Sequence, residues 1–403
     1  EDIGGPPHPR FDIPVYGELI PSVPTTVFDE EYRAFAGTRD ARSLDFAELR
    51  DLTQRYLAAY RRHAGHPFPQ DPVIQLQEAI SHVLSSWTSP RACDYRRQYG
   101  ISDTPGTAVT IQTMVFGNAG GRSGAGVAFS RNPLDGEPGL WADFLFNAQG
   151  EDVVSGRRSA QGHDQFARAM PAVWAALNES ASKLERAMGD MQDIEFTVEE
   201  GKLYILQTRS GKRSTQAAAR IALDLLDEGV ITDDVARQRT AEIELGDLVT
   251  TRIATVDGLA APTVLAKAIS ANQGVASGEI ALDPERALQR AGDGASVVMV
   301  RRDADTSDFP ALKASAGVLT KNGARTSHAA VVARQLGKVC LTSCAALEID
   351  DSARTVRFGD VLLREGDQLT LDGNSGVVYA GAVRTVAEPL ADLQNRLIAL
   401  RTR

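Results

Sequence analysis

The apolar residues of this chain change their spacing near Thr107, and that change limits what the chain can fold into more than any other feature. Before it, apolar side chains recur at three- and four-residue steps. Phe46, Leu49, Leu52, Tyr56, Leu57 and Tyr60 do so over 43–63, and Val73, Leu76, Ile80, Val83, Leu84 and Trp87 do so after the proline-rich turn at 67–72. Such steps place side chains on one face of a helix, so two amphipathic helices with these residues buried are expected, with a short third starting at Pro90. After it, Val109, Ile111, Thr113 and Val115 alternate with their neighbours, and a strand is expected over 107–116. Two periods in succession require a helical unit followed by a sheet.

The pattern continues as an α+β segment, with strands expected at 127–130, 141–147, 193–198 and 203–208 and a helix inserted at 164–188. A helix over 215–228 closes at Gly229, which suits a C-terminal cap. Residues 211–265 then read as a helical linker without a core of its own. An α/β unit follows over 266–382, with short strands at 297–300, 316–320, 339–342 and 369–371 and helices at 307–314 and 327–336. Helical spacing returns at 386–400. Pro6, Pro7, Pro9, Pro14, Pro21 and Pro24 break any helical period at the start. The expected order is therefore an extended arm at 1–42, a helical subdomain at 43–104, an α+β subdomain at 105–210, the linker, the α/β domain, and a C-terminal helix at 383–403.

Several domains suit 403 residues, since single cores stop growing below that size. The formal charge of −10 argues against nucleic acid and anionic membranes as partners, while leaving room for a local phosphate pocket. No apolar run is long enough for a membrane-spanning helix, and residues 1–9 lack a secretory pattern. Cys93, Cys340 and Cys344 show no paired CxxC spacing, so a reducing, cytoplasmic setting without zinc is expected.

Three segments carry chemistry. His328 follows a strand and the Asn322-Gly323 turn and stands at the expected start of a helix capped by Thr326 or Ser327. Free backbone N–H groups and the positive end of the helix dipole favour a neutral imidazole and a bound anion there, as a phosphorus nucleophile needs. A capping or packing histidine is the plainer alternative. Residues 117–126, rich in glycine, fit either a phosphate cradle or a mobile turn, and no Walker Gly-Lys-Ser/Thr follows. In the hairpin at 193–209, Asp193 and Glu195 share one face and Gln207 and Arg209 share a face on the return strand. A three-residue turn sets Glu195 opposite Gln207, and a two-residue turn sets it opposite Leu206. If the polar groups meet, the carboxylates and amide oxygen suit Mg²⁺ and Arg209 suits a phosphate. Otherwise they form a solvated stripe.

The run Thr326-Ser327-His328-Ala329-Ala330-Val331-Val332-Ala333-Arg334, followed by Leu336-Gly337-Lys338 and Cys340, resembles the phosphohistidine signature of pyruvate phosphate dikinases. Gln192-Asp193-Ile194-Glu195-Phe196 and Leu206-Gln207-Thr208-Arg209 resemble the metal-binding strands of that family's ATP-grasp domains. Gln149-Gly150-Glu151-Asp152-Val153-Val154 is similar to its adenosine-lining segment. The resemblance, in family order over about 45–382, implies a partial ATP-grasp domain followed by a swivelling phosphohistidine β/α domain. It implies ATP and Mg²⁺ as cofactors, His328 as phosphoryl acceptor, Glu151, Asp152, Val154 and Arg209 at the nucleotide, Asp193, Glu195 and Gln207 at the metal, and Thr326 as a regulatory position. Ala324 departs from the family's second glycine, which is expected to stiffen the turn.

The family's further nucleotide subdomain, with its lysine and arginine, and its C-terminal phosphoenolpyruvate/pyruvate barrel find no match within these residues. The expectation is a shortened or naturally short form that takes a phosphoryl group from ATP onto His328 and needs a separate barrel protein for the pyruvate step. A phosphocarrier or regulatory subunit without productive ATP use is the alternative. An antibiotic-modifying phosphotransferase fits the nucleotide half less well.

Overall fold

The computed structural model describes residues 23, 25–37, 39, 43–154, 161–254, 262–304, 308–325 and 327–402. It divides into two compact units, Glu1–Met114 and Val115–Arg403.

The first unit is helical: Thr25–Ala36, Phe46–Ala64, Pro72–Ser86 and Pro90–Tyr99. The second of these starts at a capping box, where the Asp45 carboxylate accepts from the Glu48 N–H while Glu48 accepts from the Asp45 N–H. Gly65 ends it in a left-handed conformation. Its apolar face, Leu52, Tyr56 and Tyr60, packs against Val23, Phe28, Tyr32 and Ala36. The expected extended arm over 1–42 is thus replaced from Thr25 onward by a helix, because Phe28, Tyr32 and Ala36 supply a four-residue stripe that the prolines before them obscured. Residues 1–22 lie outside the described residues.

Two further expectations fail here. Helix Pro72–Ser86 forms where the spacing places it, started by Asp71 and Pro72, yet it buries no residue, and Val73, Leu76 and Leu84 are exposed. An apolar stripe specifies a face and not the element that covers it. Residues 107–116 form no strand, and Ile111 and Met114 are exposed. Alternation makes a segment ready for pairing, but among the described residues no sheet edge pairs with it.

The second unit is built on two sheets. The first has five strands: β1 (Gly124–Arg131), β2 (Pro138–Phe146), β3 (Gln161–Gly162), β4 (Gln192–Glu199) and β5 (Lys202–Ser210), in the order β3-β2-β1-β4-β5. One face, with Ala128, Phe144, Ile194, Phe196 and Val198, is covered by helices His163–Ala169 and Pro171–Met188, where Pro171 splits the single helix expected at 164–188. The other face carries Ala125, Val127, Phe129 and Trp141, packed in part against helix Thr215–Asp227. Arg131, buried at the strand end, joins Glu185 and Glu228 from the helices on the two sides.

The glycine-rich segment opens strand β1 rather than joining two strands. Gly201 N–H donates to Arg122 O (2.8 Å) and Glu200 N–H to the Ser123 hydroxyl (2.9 Å), which ties 122–123 to the β4–β5 turn. Gly124 and Gly126 are packing glycines, because the Phe144 and Phe196 rings lie where their Cβ atoms would be.

After β5, helices Thr215–Asp227 and Asp233–Thr240 lead to strand β6 (Val249–Ile253). The linker does have a core, contrary to expectation: Ala219, Leu223, Ala236, Ile243 and Leu248 pack with Leu393, Leu397 and Leu400 of the terminal helix Ala391–Thr402. Expected helical residues 386–389 belong to a strand paired with β6. The two halves of this hub lie about 150 positions apart, beyond the reach of any local period.

Between them stands an eight-stranded sheet made from β7 (Val264–Lys267), β8 (Ile269–Asn272), β9 (Val275–Ala281), β10 (Val297–Arg301), β11 (Gly317–Thr320) and β12 (Val339–Thr342). A small sheet of β13 (Leu347–Asp350), β14 (Thr355–Phe358) and β15 (Val361–Arg364) interrupts the chain before β16 (Gln368–Asp372) and β17 (Val377–Ala380) complete it, and β18 (Thr385–Pro389) is the partner of β6. The order is β7-β17-β16-β9-β10-β11-β12-β8, with β9 to β12 parallel. Helices Pro284–Gly292, Phe309–Ala314 and His328–Gln335 connect the parallel strands and cover one face over Val297, Met299 and Val318, while the small sheet covers the other over Val298, Val300 and Leu319. No helix among the described residues is long and apolar enough to cross a membrane.

The packing of Gly126 is directly testable. Its added Cβ would stand 2.5 Å from the Phe196 ring and 2.7 Å from Asp143 O. Gly126→Val is expected to destabilise the protein by about 1–3 kcal/mol, measured by urea unfolding, and an unchanged midpoint would show that the rings have other room.

Candidate phosphoryl-transfer site

The hairpin β4–β5 sets the geometry. Its turn holds two residues, Glu200 and Gly201, both at positive φ as primed hairpin turns require. A plain ladder from that turn would set Glu195 opposite Leu206. Instead the register shifts between Glu195 and Phe196, Leu206 is the extra residue, and Glu195 pairs with Gln207 and Asp193 with Arg209. The two-residue turn and the Glu195–Gln207 pairing therefore coexist, because a bulge moves the return strand by one and turns Gln207 and Arg209 to the carboxylate face.

Cross-strand pairing extends this patch. One row across the sheet runs Asp143, Val127, Glu195, Gln207, and the next runs Trp141, Phe129, Asp193, Arg209. Directly opposed residues share a face, so three carboxylates, an amide and a guanidinium surround an aromatic pair whose rings are 5.7 Å apart. Arg209 Nε donates to Asp193 Oδ2 at 2.9 Å, and its Nη2 lies 3.5 Å from Glu195 Oε1. Asp193 Oδ1 is buried without a hydrogen-bond partner among the described residues.

These oxygens fit a small hard cation. No cluster of three His, Cys, Asp or Glu that could hold a metal by itself occurs among the described residues. Mg²⁺ does not need one: it is commonly held by one or two carboxylates together with nucleotide phosphates and water. Asp193 and Glu195, with Gln207 opposite, are the residues on this face that could hold such an ion, and Arg209 is the cation now set between the two carboxylates.

Helix Gly150–Val154 packs on this face, with Val153 in the cluster that contains Val127 and Phe129. Asp152 Oδ2 accepts from Gln149 N–H at 3.1 Å, closing the helix start. The side chains of Glu151 and Val154 lie outside the described residues.

His328 begins helix His328–Gln335, beyond the C-terminal end of parallel strand β11, where open α/β sheets place ligand groups. Ser327 takes the N-cap position with an extended backbone, and its hydroxyl accepts no first-turn N–H. Gly323 takes φ +112°, whereas Ala324 needs no left-handed backbone and is buried, so the turn tolerates alanine at the second position. Thr326 and the His328 side chain lie outside the described residues.

The histidine helix reaches the five-stranded sheet through two arginines. Arg325 lies over the Trp141 ring at 4.5 Å, with Nη2 3.3 Å from Asp143 Oδ1. Arg334, 1% exposed, lies over Phe129 and Trp141 at 5.5 and 5.7 Å. Burial lowers the Arg334 pKa to about 10, against the opposing pull of Cys340, Asp143 and Asp193. Burial likewise pushes the Cys340 thiol up to about 12, so it is a packing residue and not a nucleophile. Sequence reasoning did not single out Phe129, Trp141, Asp143 or Arg325 as functional. One signal was available: an aspartate within the apolar run Trp141-Ala142-Asp143-Phe144-Leu145-Phe146 has to be compensated.

Comparison with known proteins places these segments. Residues 29–175 and 171–229 match the family model described as pyruvate phosphate dikinase, AMP/ATP-binding domain, and 294–376 match PEP-utilising enzyme, mobile domain. The chain is 41% identical over 380 residues to a pyruvate, phosphate dikinase of Clostridium symbiosum, with 93% of this chain and 43% of that protein aligned. It is 40% identical to that of Rhizobium meliloti (strain 1021), again over 93% of this chain and 43% of the relative. A chloroplastic pyruvate, phosphate dikinase of Flaveria pringlei is 40% identical, over 92% of this chain and 39% of its own length. The chain thus spans about two fifths of these relatives.

The Asp193 carboxyl is held above the usual carboxylate range, because burial outweighs the attraction of Arg209. A carboxyl whose folded pKa exceeds its unfolded one holds its proton more tightly when folded, so its contribution to stability falls as pH rises from the unfolded value through the folded one. Asp193→Asn is expected to remove that fall from the pH dependence of urea unfolding on the acid side. An identical pH profile in the variant would contradict the assignment.

Proposed function

The chain belongs to the pyruvate phosphate dikinase family, and from that premise we propose that it transfers a phosphoryl group from Mg·ATP to His328 as the nucleotide half of a dikinase reaction. The observation that carries the reading is the β4–β5 register, which gathers Asp193, Glu195, Gln207 and Arg209 on the sheet face to which the histidine helix docks. The five strands with their helices serve as a partial ATP-grasp domain, and the eight-stranded sheet serves as the swivelling phosphohistidine domain.

In this reading Asp193, Glu195 and Gln207 hold the metal, which when bound offsets charge on the phosphates. Arg209 exchanges its carboxylate partners for a phosphate oxygen, a change its planar fork suits. Helix Gly150–Val154, with Glu151, Asp152 and Val154, borders the adenosine. The neutral imidazole of His328 attacks the β-phosphorus of ATP, an N–P bond forms and the P–O bond to AMP breaks; inorganic phosphate then takes the γ-phosphoryl group as diphosphate, which leaves one phosphoryl group on the imidazole. First-turn N–H groups then receive the anion. Catalysis of this kind rests on positioning and charge, both of which this face supplies. Onward transfer from the phosphohistidine to pyruvate gives phosphoenolpyruvate and completes the sum of ATP, phosphate and pyruvate to AMP, diphosphate and phosphoenolpyruvate; it requires a barrel that binds pyruvate, and a barrel-bearing protein is the proposed partner. Thr326 stands as the proposed regulatory position.

Incubation with Mg²⁺, phosphate and ATP labelled at its β-phosphate is expected to give acid-labile, alkali-stable label that peptide mapping assigns to His328. His328→Ala abolishes it, and Glu195→Gln lowers the labelling rate on the order of 10²-fold. No label from ATP, but label from phosphoenolpyruvate with a barrel-bearing partner, would replace this reading with a phosphocarrier.

A further inference from the structure

We propose that Arg325 is a positioning residue for His328, seating the loop that opens the histidine helix on the five-stranded sheet by stacking on Trp141 and pairing with Asp143; the proposal rests on His328 being the phosphoryl acceptor. Arg325 precedes His328 by three residues and reaches across to a different sheet. Its guanidinium meets both an aromatic face, at 4.5 Å, and a carboxylate, at 3.3 Å, a combination that arginine's planar fork satisfies better than lysine's single ammonium. Asp143 is 2% exposed and stands in an apolar strand, so its carboxylate is shielded from water while the Arg325 guanidinium stays partly exposed.

Arg334 supports the same seat from behind. Its Nη2 donates to the backbone carbonyl of Arg325 at 3.0 Å and to that of Ala271 at 3.3 Å, fixing the loop to its own domain. Its Nε and Nη1 have no hydrogen-bond partner among the described residues and face the Phe129 and Trp141 rings instead. The contact is charge on aromatic rather than apolar on apolar, a chemistry that lets two domains part without exposing a hydrophobic core. Asp143 lies one strand beyond Val127 from Glu195, so seating and metal binding use different carboxylates on one face.

The test combines a distance and a rate in the full chain. Nitroxides at Ile205→Cys on the five-stranded sheet and Leu362→Cys on the small β13–β15 sheet that covers the eight-stranded one, both exposed positions, in a Cys93→Ser background, report the separation of the two domains by electron–electron resonance. One dominant distance is expected, broadened by Arg325→Glu or Asp143→Arg and restored when both are present. In single-turnover labelling from Mg·ATP, Arg325→Glu should slow phosphorylation of His328 on the order of 10²-fold with nucleotide affinity unchanged. Arg325→Lys should keep part of the rate, and the double charge swap should recover most of it. Distances indifferent to both reversals would overturn the proposal, as would a rate lost together with nucleotide binding. A wild-type chain that takes no label while its distances still respond would overturn the phosphoacceptor reading alone and leave Arg325 as the seat.

Discussion

Strand β5 carries one residue more than the strand it faces, and the candidate site depends on where that residue sits. Placed at Leu206, it puts Gln207 beside Glu195 and Arg209 beside Asp193. Without it, the tight turn at Glu200 and Gly201 would send Gln207 and Arg209 to the opposite face, among Ile194, Phe196 and Val198. That face is packed by helices and aromatic rings, so burying an amide and a guanidinium there would be costly. The apolar packing on one side and the polar cluster on the other therefore enforce the same register.

A second constraint follows from how charge is distributed on that face. Asp193 and Glu195 meet the cation Arg209 from their own hairpin, whereas Asp143 meets Arg325 from the other sheet. Desolvated carboxylates are tolerable only with such partners. In the proposed function, a nucleotide with its metal opens the first pair and movement of the histidine domain opens the second. Phe129 and Trp141 lie between these groups and give both arginines of the histidine domain a surface that suits cations without fixing them permanently.

Much of this was legible locally. Asp45 and Glu48, or Pro72 after Asp71, announce helix starts through bonds that close within three residues, and those helices form where the sequence places them. The parallel strands β10, β11 and β12 follow from short apolar runs between helices. Helix Thr25–Ala36 was hidden behind prolines. The segment 107–116 and the apolar stripe of Pro72–Ser86 show the converse, since each is patterned for a partner that the described residues of the structure do not provide. The hub formed by β6, β18 and the terminal helix leaves no local signal, because its two parts are far apart in the chain.

The sequence by itself determined which residues alternate with which: that Asp193 and Glu195 share a face, that His328 opens a helix behind a glycine turn, and that the chain changes from helical to mixed architecture. These properties depend on neighbours within a few bonds, where backbone geometry leaves few options. Only the tertiary structure decided that Gln207 and Arg209 join those carboxylates, and that Arg325 and Arg334 stand over Trp141 and Phe129. Both outcomes depend on the position of a bulge and on the meeting of segments some 180 residues apart. Such choices are made by the burial of whole faces, which no local pattern records.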